Sequence, residues 1–159
     1  MTEQQHIELD TLLKQGILLL ESLSTIYDSE LEALSSKDLE RLSDVTQEKM
    51  GVINKFHSFT LERVALLKSF GIEIDSEDYS TPEDNTPAAQ RTNVIYAEIK
   101  KHLKELQHKN KRNEQAIYRN QQNVNQLLAI VRGHKKQDQL YGKAGASQLY
   151  KAQSSLGKA

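Results

Sequence analysis

Between residues 9 and 34 apolar side chains recur at the period of an α-helix, and no alternating, strand-like run competes with them. The row Leu13, Leu20, Tyr27, Leu34 advances by sevens without a break. Leu12, Leu19, Ile26 and Ala33 lie beside it, while Glu8, Glu21, Asp28 and Glu32 take the opposite side. This is the pattern of an amphipathic helix, which must bury one face against a neighbour. Thr2 followed by Gln5 has capping-box spacing, so the helix is expected over about 3–34.

The same period returns twice. Leu39, Leu42, Val45, Val52, Ile53, Phe56, Phe59, Val64, Leu67 and Phe70 mark a second helix over about 37–70. Ser35, Ser36 and Asp38 offer oxygens to open it, and Gly71 can end it in a left-handed conformation. A connection this short implies an antiparallel hairpin. Residues 72–86 then carry Glu73, Asp75, Glu77, Asp78, Glu83 and Asp84 without one Lys or Arg, which reads as an acidic linker. Thr86 and Pro87 supply an N-cap and a first-turn proline for a third helix. That helix is expected over 87–132, with Gly133 as its stop. Its seam reads Tyr96, Leu103, Asn110, Ile117, Val124, Val131 in one row and Ile99, Leu106, Asn113, Asn120, Leu127, His134 in the next. From Lys135 onward the chain holds five Lys and one Asp among Gly, Ser, Ala and Gln. The expected architecture is therefore all-α. It is an antiparallel three-helix, coiled-coil-like bundle of long helices over 1–134, with a flexible basic tail over 135–159.

Composition narrows the function. In 159 residues there are only seven Gly and two Pro, too few turn formers for a sandwich or barrel. The absence of Cys removes disulfides, thiol nucleophiles and Cys-ligated zinc, and fits a reducing compartment. The five histidines make no i, i+4 pair, and there is no HExxH, no glycine-rich phosphate loop and no GxSxG. No catalytic residue, metal or cofactor is expected. Mean hydropathy is −0.65, and neither a membrane-spanning run nor a signal-peptide pattern is found, so the expectation is a cytoplasmic protein.

The net charge of −1 conceals a division. Residues 1–90 hold 18 Asp and Glu against 7 Lys and Arg, whereas residues 91–159 hold 14 Lys and Arg against 4 Asp and Glu. Either the two halves pack on each other, or one of them meets a charged partner. The run Lys100, Lys101, Lys104, Lys109, Lys111, Arg112 and Arg119 could meet phosphates, but only Tyr96 and Tyr118 lie near for base stacking. The plainer reading is a solvated face complementary to the acidic hairpin, with no nucleic acid.

Polar residues interrupt two seams. Lys49 and Arg63 fall in the row Leu42, Lys49, Phe56, Arg63, Phe70. The ordinary reading is snorkelling, in which long stems cover the seam and the charges reach its edge. The other pairs them with glutamates of the first helix or with acidic groups of a partner. Asn110, Asn113 and Asn120 exceed what register alone requires. They make the seam of the third helix weak, or they mark a stretch that pairs with something outside the bundle.

The layout resembles the FlgN-type export chaperones of the bacterial flagellar secretion system. The resemblance is most specific near the C-terminus, where Asn110-Lys-Arg-Asn113 is similar to the family's N-x-x-N segment. Arg119-Asn120-Gln121-Gln122 then precedes an apolar stretch, and Leu140-Tyr141-Gly142-Lys-Ala-Gly145 is similar to the family's L-Y-G-x-x-G signature. Glu114 departs from the Gly that often follows the second Asn. The resemblance implies a cytoplasmic chaperone that binds hook-associated junction proteins of the FlgK and FlgL type through its C-terminal region. It further implies docking of Tyr141, with Leu140 and Gly142 beside it, onto the cytoplasmic domain of the export-gate membrane protein. Client contacts are expected at Asn113, Asn120, Val124, Leu127, Leu128 and Val131. The half-exposed seam also leaves a homodimer open. Two other readings stand beside this one: a nucleic-acid-associated helical protein using the basic half, and a structural coiled-coil subunit with a permanent partner.

Overall fold

The chain forms three helices, α1 (Glu3–Ser36), α2 (Leu39–Ser69) and α3 (Pro87–Ser155). This computed structural model describes residues 1–74 and 86–155, with side chains as far as residue 132. Residues 75–85 of the acidic stretch lie outside the described residues. No strand occurs among those that are described.

Each helix terminus has a local cause. At the start of α1 the Gln5 amide N–H donates to Thr2 Oγ1 at 3.3 Å while the Thr2 N–H donates to Gln5 Oε1 at 2.8 Å, closing the capping box. The α1–α2 turn is built differently from the expectation. Ser35 and Ser36 end α1, their hydroxyls donating back to Leu31 O at 2.8 Å and Glu32 O at 2.9 Å. Lys37 turns the chain in the left-handed region at φ 58°, and Asp38 alone caps α2, accepting from the Arg41 N–H at 3.0 Å. A carboxylate adjacent to the turn is better placed for that N–H than serines whose hydroxyls bond within α1.

The end of α2 follows the sequence closely. Gly71 adopts φ +80°, its N–H donates to Lys68 O, and the Ile72 N–H donates to Leu67 O, both at 3.0 Å. This is the Schellman arrangement, and a left-handed residue at that position favours glycine. Thr86 caps α3, accepting from the Ala89 N–H at 3.2 Å, with Pro87 in the first turn.

The expected stop of α3 at Gly133 is not taken, because the helix continues to Ser155. A single helical glycine costs only about 1 kcal/mol, and the residues that follow (Lys135, Lys136, Gln137, Gln139, Leu140) are good helix formers with no proline among them.

The chain divides into two compact units, Met1–Ala116 and Ile117–Ala159. In the first, the apolar faces of all three helices meet in one cluster. Leu9, Leu13 and Leu20 of α1, Ile99 of α3 and Leu67 of α2 are almost entirely buried, joined by Phe59, Tyr96 and Leu106. Each such leucine contributes about 2 kcal/mol of burial free energy. Phe56 and Phe59 stack tilted at 5.3 Å between centroids, and the Phe59 ring lies directly over Gly16 of α1. The second unit is helical, and its side chains as far as Arg132 are half-buried or exposed.

Candidate functional site

Two polar clusters tie α3 to α1 within the first unit. Near the N-terminus of α3, Thr92 Oγ1 donates to Asp10 Oδ1 at 2.6 Å and lies 2.9 Å from His6 Nδ1. Arg91 Nε donates to the other Asp10 oxygen at 2.7 Å, and its Nη2 reaches Glu3 at 3.2 Å. His6, Asp10 and Thr92 are all buried. With the threonine hydroxyl donating to Asp10, the imidazole must donate from Nδ1, which fixes its orientation.

The second cluster surrounds Glu30, a buried carboxylate on α1. Lys49 of α2 forms an ion pair with Glu30 Oε1. Asn113 of α3 donates from Nδ2 to Glu30 Oε2 at 2.8 Å and to the Tyr27 carbonyl at 2.7 Å, so both of its amide hydrogens are used. Arg112 Nε donates to Asn113 Oδ1 at 3.2 Å. The cluster thus satisfies each oxygen of a charge that would be costly to bury alone. Alongside, Lys109 Nζ donates to Ser24 Oγ at 2.7 Å and pairs with Asp28 at 2.6 Å, while Arg112 reaches the other Asp28 oxygen at 2.9 Å. Hydrogen bonds from Lys109 and then Arg112 hold the Asp28 carboxyl below the usual aspartate range. Burial, the largest influence on the Tyr27 phenol, pushes it above its ordinary value.

These clusters decide several sequence readings. Within the first unit the basic start of α3 packs on the acidic α1: Arg91, Lys109 and Arg112 all pair with acidic residues there. Lys49 does not snorkel. Its ammonium pairs with Glu30 and stands 5.3 Å from the Tyr27 ring centroid. Arg63 is wholly buried, so its guanidinium does not reach the seam edge either. Asn113 lies in the core of the first unit, and Asn110 donates to Glu114 along its own helix at 2.7 Å.

The sequence reading missed Glu30, Asp10, Thr92 and Gly16, yet a signal for them exists. Leu9, Gly16, Leu23 and Glu30 form one heptad row, and Thr92 heads the row Ile99, Leu106, Asn113. A carboxylate at the end of one apolar row facing an asparagine at the end of another marks a polar layer.

The remaining expected contacts fall in the second unit. Val124, Leu127, Leu128 and Val131 are 55%, 62%, 46% and 54% exposed, and Ile117 38%. Asn120 is half-buried. At 3.6 residues per turn, Ile117, Asn120, Val124, Leu127, Leu128 and Val131 share one face. A contiguous apolar helical stripe exposed to solvent is unusual for a soluble surface. Leu140, Tyr141 and Gly142 fall within α3 by backbone, and their side chains lie outside the described set. Among the described residues, no group of His, Cys, Asp or Glu could hold a metal, and no helix is long and apolar enough to cross a membrane.

Comparison with known proteins agrees with this layout. The family model described as FlgN protein matches residues 1–148. No curated protein and no solved structure matches the chain. With the match covering both the Glu30–Asn113 bundle and the exposed stripe, the chain belongs to the FlgN family of flagellar export chaperones.

Proposed function

We propose that this chain is a cytoplasmic chaperone of type III flagellar export, holding hook-associated junction proteins of the FlgK and FlgL type. It prevents their premature assembly and delivers them to the cytoplasmic domain of the export-gate membrane protein. The observation that carries the reading is the solvent-exposed stripe Val124, Leu127, Leu128 and Val131. A junction protein whose terminal helices are amphipathic has apolar faces to hide until assembly, and a helical stripe covers such faces in helix-to-helix fashion. Asn120 supplies polar register within the stripe. Asn113 acts from the bundle, where it fixes α3 against α1, rather than by touching the client. Tyr141, flanked by Leu140 and Gly142, serves as the docking anchor for the export gate, a role suited to a rigid aromatic side chain with a polar tip. Without a client, the same stripe is the surface on which two copies pair.

The test is titration calorimetry against junction proteins of the same organism. Saturable binding with a negative heat-capacity change is expected for the native chain. Leu127→Ala with Leu128→Ala abolishes the heat while helicity is retained, because both side chains are exposed and alanine is a better helix former. Tyr141→Ala leaves the titration unchanged. Full affinity in the Leu127→Ala, Leu128→Ala variant would overturn the assignment.

A further inference from the structure

Within the first unit, α2 and α3 leave a groove of about 820 Å³ between them. Ile53 and Phe56 of α2 and Leu103 and Leu106 of α3 give it an apolar floor, and Ile53 remains 37% exposed. Its rim is cationic. Lys100 and Lys104 stand one turn apart on α3, both exposed, and His57 faces the groove from α2. No Asp or Glu lines it among the described residues. Along α3 it runs from Lys100 to Asn110, about 15 Å, or roughly three helical turns.

We propose that this groove is a docking site for an acidic amphipathic helix of a partner protein. A helix laid between α2 and α3 completes four-helix packing at the ordinary spacing of about 8–10 Å between axes. Its apolar face covers Phe56 and Leu103, and carboxylates on its flank meet Lys100 and Lys104 at the rim, where their attraction sets orientation and encounter rate. The charge also decides against the exposed stripe of a second copy, since residues 117–132 carry Arg119 and Arg132 and no carboxylate. The site lies in a different unit from the stripe, and the proposal does not rest on the function assigned above.

The probe is a designed, fluorescein-labelled helical peptide of 18 residues with Leu at i, i+3 and i+4 positions and Glu on its flanks, compared with a twin carrying Lys on its flanks. Fluorescence anisotropy with the full chain should show saturable 1:1 binding of the Glu peptide, at least about tenfold tighter than the Lys peptide. Lys100→Glu with Lys104→Glu should weaken the Glu peptide at least about tenfold and reverse the preference. Both titrations are repeated in the chain carrying Leu127→Ala and Leu128→Ala, where the stripe's own capacity for amphipathic helices is removed, and the preference for the Glu peptide should persist there. Circular dichroism checks that each variant keeps its helicity, which substitution of exposed lysines permits. Equal affinity for the two peptides in the stripe-deleted chain, no binding there, or no response to the lysine reversal would each overturn the proposal.

Discussion

Asn113 shows how one side chain can hold a long helix in place. It is 1% exposed, and its amide joins Glu30 to the Tyr27 carbonyl while Lys49 neutralises the same carboxylate from α2. Three helices therefore meet at one charge. Removing the amide leaves a buried carboxylate oxygen and a backbone carbonyl each short of a donor, and such losses outweigh the modest net value of the bonds themselves. Asn113→Ala should destabilise the chain by about 2 kcal/mol. Asn110→Ala, which loses a bond to Glu114 along its own helix, should cost less than about 0.5 kcal/mol. Urea unfolding measures both, and equal losses would mean that the Glu30 cluster contributes nothing beyond an ordinary seam position. The three asparagines look alike in sequence. Their difference comes from what each faces across the bundle, and Glu30, 83 residues away, is visible only once the helices are paired.

At the scale of elements, most of the architecture was legible because the helix punctuation is local. The capping box at Thr2, the Schellman turn at Gly71 and the Thr86–Pro87 start each depend on a few neighbouring residues, and all three form. Where several local choices compete, the sequence underdetermines the outcome. Ser35, Ser36 and Asp38 could all have opened α2, and the left-handed turn at Lys37 selects Asp38. Gly133 looked like a stop, but a glycine ends a helix only when the following residues favour leaving it. Gly16 is the reverse case: its lack of a side chain serves packing, not a turn. An added Cβ would come within 2.7 Å of Phe59 Cε1 in a closely packed interior. Gly16→Ala gains about 1 kcal/mol in helix propensity, but crowding of the phenyl ring costs about 1–3 kcal/mol. A net loss of about 1 kcal/mol is expected in denaturant unfolding, with Phe59→Leu in the same chain recovering part of it. A gain in stability from Gly16→Ala would show that α1 and α2 are less tightly joined there.

At the scale of the molecule, the opposite charges of α1 and the start of α3 find each other within the first unit, and the apolar surface is not all used. The first unit closes its core with α1, α2 and the first part of α3, whereas Val124, Leu127, Leu128 and Val131 stay exposed in the second. The sequence showed their helical spacing but not their exposure, because a heptad row reads the same whether its partner lies in the same chain or in another. The family match extends over that unused stripe, and the client role proposed for it is what remains to be measured. The most direct measurement is amide hydrogen exchange on the full chain, with and without a saturating junction protein. Exchange across residues 117–132 should slow by at least about tenfold on binding, since packing against a client suppresses the local opening through which helical amides exchange. Unchanged exchange across 117–132 in a saturated complex would rule out the stripe as the client surface and place the client elsewhere on the chain.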